Sequence, residues 1–157
     1  MSKWKTPPGI KIYEALGAIA DGRVIAKKDG KFWVYSSSGR KHYDVQFSQM
    51  QNAITSNDNG SYWQSYLGYP AVAVLMQIGI IHFPKDLSLG LAGIEWKKIN
   101  TKYKNDFALT EKYVLEYLVE RGFQIEDVKL EIENITARII ELGLDKFGPT
   151  KKPPEGY

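Results

Sequence analysis

"RVIAKKDGKFWVYSSSGRKHYDVQF", residues 23–47, decides the fold class. Asp29-Gly30 is a favoured two-residue hairpin turn, because both positions tolerate positive φ. A second turn falls at Ser38-Gly39. Beyond it Tyr43, Val45 and Phe47 alternate with His42, Asp44 and Gln46, giving one buried and one wet face. The stretch reads as strand, turn, strand, turn, strand: a three-stranded antiparallel meander.

Helical periodicity flanks it on both sides. Upstream, "TPPGIKIYEALGAIADG" places Ile12, Leu16 and Ile19 on one face, with Thr6 as cap, Pro7 in the first turn and Gly22 as terminator. Downstream, after the polar bridge "SQMQN", comes "SNDNGSYWQSYLGYPAVAVLM", residues 56–76. Its loop half holds Tyr62, Trp63, Tyr66 and Tyr69. From Pro70 it becomes a helix that is apolar all round and must be buried, with the meander's apolar face as its cover.

Three more helices are expected. "DLSLGLAGIEWKKINTKYKND" carries a stripe of Leu89, Ala92, Trp96, Ile99 and Tyr103, weakened by Gly90 and Gly93. Asp106 or Thr110 starts the next, which ends at Gly122 and has Val114, Leu115, Leu118 and Val119 as its apolar residues. In the last, Ile125, Val128, Ile132, Ile135, Ile139 and Leu142 alternate spacings of three and four, as in a coiled-coil seam. Gly122 makes a short connection, so these two form an antiparallel hairpin. The expected architecture is α+β: an N-terminal helix, a three-stranded antiparallel meander packed with a buried helix, then a C-terminal three-helix part. Residues 1–83 form the first unit, 84–148 a helical part packed on it within one globular domain, and 149–157 a flexible tail.

Composition narrows the function. The chain has 157 residues and no cysteine, which removes disulfides, thiolate zinc sites and cysteine nucleophiles together. Together with abundant Lys, Glu, Ile and Tyr, this fits a thermophile. No apolar run approaches the roughly 18 residues of a membrane helix, and "MSKWKTPPG" has no signal-peptide core. A cytoplasmic protein without a membrane partner is the expectation. Residues 1–104 carry fourteen Lys and Arg against seven Asp and Glu, a balance of +7. Residues 105–157 carry seven against eleven, a balance of −4. A basic front and an acidic back suit two functional faces or self-association.

The helix, meander and apolar helix, in that order, resemble the SWIM zinc-finger module. The matching segments are "ALGAIADGRV", "WVYSSSGRKHYDV", "SND" and "AVAVLM", within about residues 10–78. The resemblance implies association with nucleic acid or protein. It carries over no metal. The family's ligand positions fall at Ile54 and Ser56 and near Gly68 and Pro70, none of which holds zinc as thiolate or imidazole does. A structural zinc is worth about 10–16 kcal/mol in finger peptides. Burial of the four rings at about 1.5–3 kcal/mol each is the expected replacement, so zinc gives way to hydrophobic packing.

No phosphate-cradling loop or dinucleotide fingerprint occurs. "SSSG" is a turn without a paired base. His82 follows an apolar helix as a buried or capping residue, and His42 lies on the wet side of its strand opposite no carboxylate. Neither is read as catalytic. Glu126-Asp127 and the Glu131/Glu133 pair lie on an outer helix face, where charge is solvated, so a carboxylate-dependent enzyme is only a minor alternative. No catalytic residue, cofactor or metal ligand is expected.

Two binding readings remain. A protein-interaction module, with an unknown protein partner or a second copy of the chain, would use the seam Ile132, Ile135 and Ile139. The alternative is a nucleic-acid-binding protein. There Arg40, Lys41, Lys97, Lys98, Lys102 and Lys104 meet phosphates while Trp63 and Tyr66 stack on bases.

Overall fold

The computed structural model describes residues 2–155, so residues 156 and 157 of the expected tail lie outside it. The architecture is α+β. Helix α1 (Gly9–Ala20) leads into a sheet of β1 (Val24–Ala26), β2 (Lys31–Tyr35), β3 (His42–Ser48) and β4 (Ala53–Ser56), antiparallel throughout in the order β1-β2-β3-β4. A π-helical turn (Gly60–Gln64) precedes α2 (Tyr69–Gln77). Then come α3 (Lys85–Gly90), α4 (Trp96–Lys102), α5 (Phe107–Glu120) and α6 (Ile125–Leu142). Residues 149–155 form no helix or strand.

The hairpin chemistry is what the turn residues dictate. Asp29 and Gly30 both adopt positive φ, at 59° and 72°. Gly30 has a further reason to be glycine, since a Cβ there would run into the Phe47 carbonyl oxygen. β2 and β3 pair Phe32 with Val45 and Val34 with Tyr43 on one face, and Trp33 with Asp44 and Tyr35 with His42 on the other.

The inner face packs on α2. Residues Ala71 to Met76 are buried without exception, because α2 lies between all four strands and α1. One hydrophobic cluster runs from Ile10 to Leu144, joining the sheet half and the helical half.

Five expectations need correction. The sheet has a fourth strand. β4 does not alternate: Ala53 and Ile54 are both buried, with Asp145 bridged to Ala53 on one side and the Trp4 indole donating to the Ile54 carbonyl at 2.7 Å. A short strand covered on both sides has no period of two to read. α1 begins at Gly9 behind Pro8, so Thr6 caps nothing. The helix expected over residues 86–106 is two helices, interrupted where Gly93 takes φ 81°, and Leu89 leaves the stripe for solvent. α5 starts at Asp106, one of the two expected positions, whose carboxylate accepts the Leu109 N–H at 3.2 Å, but Val119 leaves its apolar face for solvent.

The fifth correction concerns the aromatic loop. Trp63 is 67% exposed and meets Tyr62 edge-on, so it does not wrap the loop onto the sheet, whereas Tyr69 packs on the core beside Tyr43. A buried carboxylate organises the rest of the segment. Asp58 Oδ1 accepts the hydroxyls of Ser56 and Ser61, each at 2.6 Å, and Oδ2 accepts the Ser61 N–H at 3.1 Å. The Ser61 hydroxyl oxygen in turn accepts the Gly68 N–H at 3.2 Å, tying the loop to the start of α2.

Candidate nucleic-acid interface

With α2 on one side of the sheet, period-two alternation sends Lys31, Trp33 and Tyr35 of β2 to the other, beside His42, Asp44 and Gln46 of β3. This outer face carries an aromatic stack. The rings of Trp33 and His42 lie 4.0 Å apart at an interplanar angle of 18°. The Lys27 ammonium stands 3.9 Å over the indole, and Tyr35 meets the imidazole edge-on at 5.6 Å. Lys27, Lys28 and Lys31 surround the β1–β2 turn at one end of β2, and Arg40 occupies the exposed β2–β3 turn at the other. Asp29 and Asp44 are the acidic residues among them. Asp44 sits 3.6 Å from the His42 imidazole, a carboxylate partner on the same strand that cross-strand reasoning did not supply.

The residues expected to bind nucleic acid are only partly brought together. Lys41 and Lys97 are neighbours: burial first, and the Lys97 charge second, hold the Lys41 ammonium below the ordinary lysine value. The Lys97 N–H also donates to Ser37 Oγ at 3.2 Å, which joins the β2–β3 turn, and with it Arg40, to the start of α4. Lys98 pairs with Glu95 at 3.4 Å, Lys102 lies over Tyr103, and Lys104 is exposed just past the end of α4. Trp63 and Tyr66 belong to the loop before α2, where the Tyr66 ring is packed beside Gly60. Trp33, Tyr35, Lys27 and Lys31 were not singled out, and His42 was weighed only as a catalytic residue. The signal for them was present: a wet His42 requires a wet Tyr35 across the hairpin, and hence a wet Trp33.

Ile132, Ile135 and Ile139 are 6%, 3% and 7% exposed, packed into the chain's own core beneath α1. They offer no surface to a partner in the folded chain.

The buried carboxylates are committed to structure. Glu14 Oε1 accepts from the Lys11 ammonium at 3.2 Å and from the Asn100 amide at 3.3 Å. Burial lowers the Lys11 pKa, but Glu14, with Tyr66 and Asp58 behind it, more than reverses this and leaves it above the ordinary value. Asp58 is saturated by its serines. Neither carboxylate lines the cleft at His82 or the cleft at the α5–α6 turn. His82 is exposed at a cleft of about 360 Å³ with Phe83, Glu131 and Arg138, whose guanidinium is already held by Glu141 at 2.6 Å. Among the described residues no group of three or more His, Cys, Asp or Glu could hold a metal ion. The positions aligned with zinc ligands do not suit one either, since the Asp58 carboxylate fills the space between Ser56 and Gly68. Among the described residues no helix is long and apolar enough to cross a membrane.

No curated protein and no solved structure matches the chain. A family model matches residues 4–145, nearly the whole length, and the chain therefore belongs to the family described as uncharacterised conserved protein UCP014422.

Proposed function

We propose that the chain is a non-catalytic, cytoplasmic nucleic-acid-binding protein that holds its ligand on the open face of the sheet. The observation that carries this reading is the Lys27–Trp33–His42 stack, with Tyr35 beside it, on the face turned away from α2. Aromatic rings offered by a sheet face and framed by lysine and arginine are what bases and phosphates require together. The SWIM-like order of elements supports the same class of partner, within a frame where the Asp58 hub stands in for the metal. The test is anisotropy of labelled nucleic acid titrated with protein at two salt concentrations. Binding that weakens log-linearly with salt supports the reading, and absence of binding at low salt rejects it.

A protein partner is the second reading, and the far end of the helical half favours it. Val119, Phe123 and Ile125 line a shallow cleft of about 300 Å³ at the α5–α6 turn. If that cleft seats a partner or a second copy, Val119→Glu with Ile125→Glu abolishes an association visible by light scattering or pull-down. A wild-type chain that is monomeric and captures nothing removes this reading.

A further inference from the structure

β1 and β3 flank β2 on opposite sides, so Lys27, just after β1, and His42, on β3, reach the Trp33 indole from opposite directions and cover it unequally. His42 lies against it at 4.0 Å from within the sheet, fixed by the β2–β3 ladder. Lys27 lies over it at 3.9 Å from the β1–β2 turn, on a flexible side chain whose residue is exposed. A cation held over a ring by an exposed, flexible side chain is only weakly bound, so Lys27 can lift away while the imidazole stays. Its departure bares one flat face of a ring supported from behind, and leaves an ammonium beside it with no ring to sit on.

We propose that this position receives an unpaired nucleobase: the base displaces Lys27 and stacks on Trp33, and Lys27 swings to the adjoining phosphate. The inference rests on the nucleic-acid reading above and names the form of ligand. In a duplex each base face is already stacked on its neighbours, and only a single strand, loop or bulge can offer one to a protein ring. The cations are spaced for a strand rather than a lone nucleotide. Lys31 to Tyr35 spans roughly 13 Å at about 3.3 Å per residue, with Lys27, Lys28 and Lys31 at one end and Arg40 beyond the other. Asp29 and Asp44 oppose four cations along that path, and Asp44 is turned to His42.

The experiment compares labelled single-stranded RNA and DNA with duplexes of the same sequence, and with single strands carrying one abasic position. For wild-type protein the single strand binds at least tenfold tighter than its duplex, and the abasic strand loses about tenfold, the scale of one base–aromatic stack. For Trp33→Ala the intact strand loses the same factor and the abasic substitution costs nothing more. Lys27→Ala, at an exposed turn position, keeps the fold if Trp33→Ala does not; it lowers the slope of log affinity against log salt by about one. Equal affinity for duplex and single strand, or abasic and Trp33→Ala losses that simply multiply, overturns the inference while leaving nucleic-acid binding intact. Failure of every nucleic acid to bind at low salt removes both.

Discussion

The Asp58 carboxylate occupies the space that a side chain on Gly68 would need: a Cβ added at Gly68 would overlap it. The absence of a side chain at the entrance to α2 lets a buried acid close the loop. Asp58→Ala strands two buried hydroxyls and a buried N–H. Since hydrogen bonds to a charged group are worth about 1.5–3 kcal/mol, the expected loss of stability is about 3 kcal/mol by urea unfolding. Gly68→Ala falls by a comparable amount, whereas Asn59→Ala, at an exposed position, stays near wild type. A mild effect of both Asp58→Ala and Gly68→Ala would show that the hub is dispensable.

Trp63→Ala changes stability by less than about 0.5 kcal/mol, as at other surface sites. Leu67, four residues on and 1% exposed, is the loop residue that enters the core, and Leu67→Ala costs about 2–5 kcal/mol. Thermal melts of the two variants side by side decide the matter. A larger drop for Trp63→Ala would restore the aromatic loop as the replacement for a metal.

Ile135→Ala costs about 2–5 kcal/mol of monomer stability, and Ile135→Lys prevents folding, because the α6 seam is core. Ile140→Ala, five residues on at 61% exposure, is neutral within about 0.5 kcal/mol. If Ile135→Lys instead yields a folded chain of lower oligomeric state by light scattering, the seam is an interface after all.

These contrasts show what periodicity can and cannot reveal. The meander, α2 and α6 were legible because one face repeats with a fixed period and the turn residues, Asp29-Gly30 above all, allow a single backbone geometry. The depth of α2 followed from a run without a polar side. What α6 packs against was not legible, since a three-four repeat is the same whether α1 or another chain covers it. β4 lost its alternation to cover from residues nearly 50 before it and 90 after it, Trp4 and Asp145. Trp63 misled because aromatic composition says nothing of direction. The stack at Trp33 is the converse: each residue was visible, but the diagonal contact with His42 depends on hairpin register.

Tyr13, Tyr66 and Tyr69 set an alkaline limit on stability. Burial raises all three above the ordinary value of 10.0. The Glu111 carboxylate, which accepts the Tyr13 hydroxyl at 3.1 Å, raises that phenol further. Lys11 opposes the shift at Tyr66, and Arg23 opposes it at Tyr69, without cancelling it. A neutral phenol with a folded pKa above its unfolded one contributes stability that is complete below about pH 10 and is lost as pH rises toward the folded values. Urea unfolding at about pH 8 and about pH 11 therefore shows a lower midpoint at the higher pH, with tyrosinate absorbance lagging for these phenols until the fold opens. Tyr13→Phe gives up its hydrogen bond, costing about 1 kcal/mol at neutral pH, and flattens the alkaline slope. An unchanged slope in that variant, or tyrosinate formation complete before unfolding begins, would show that these hydroxyls are solvated in the native chain.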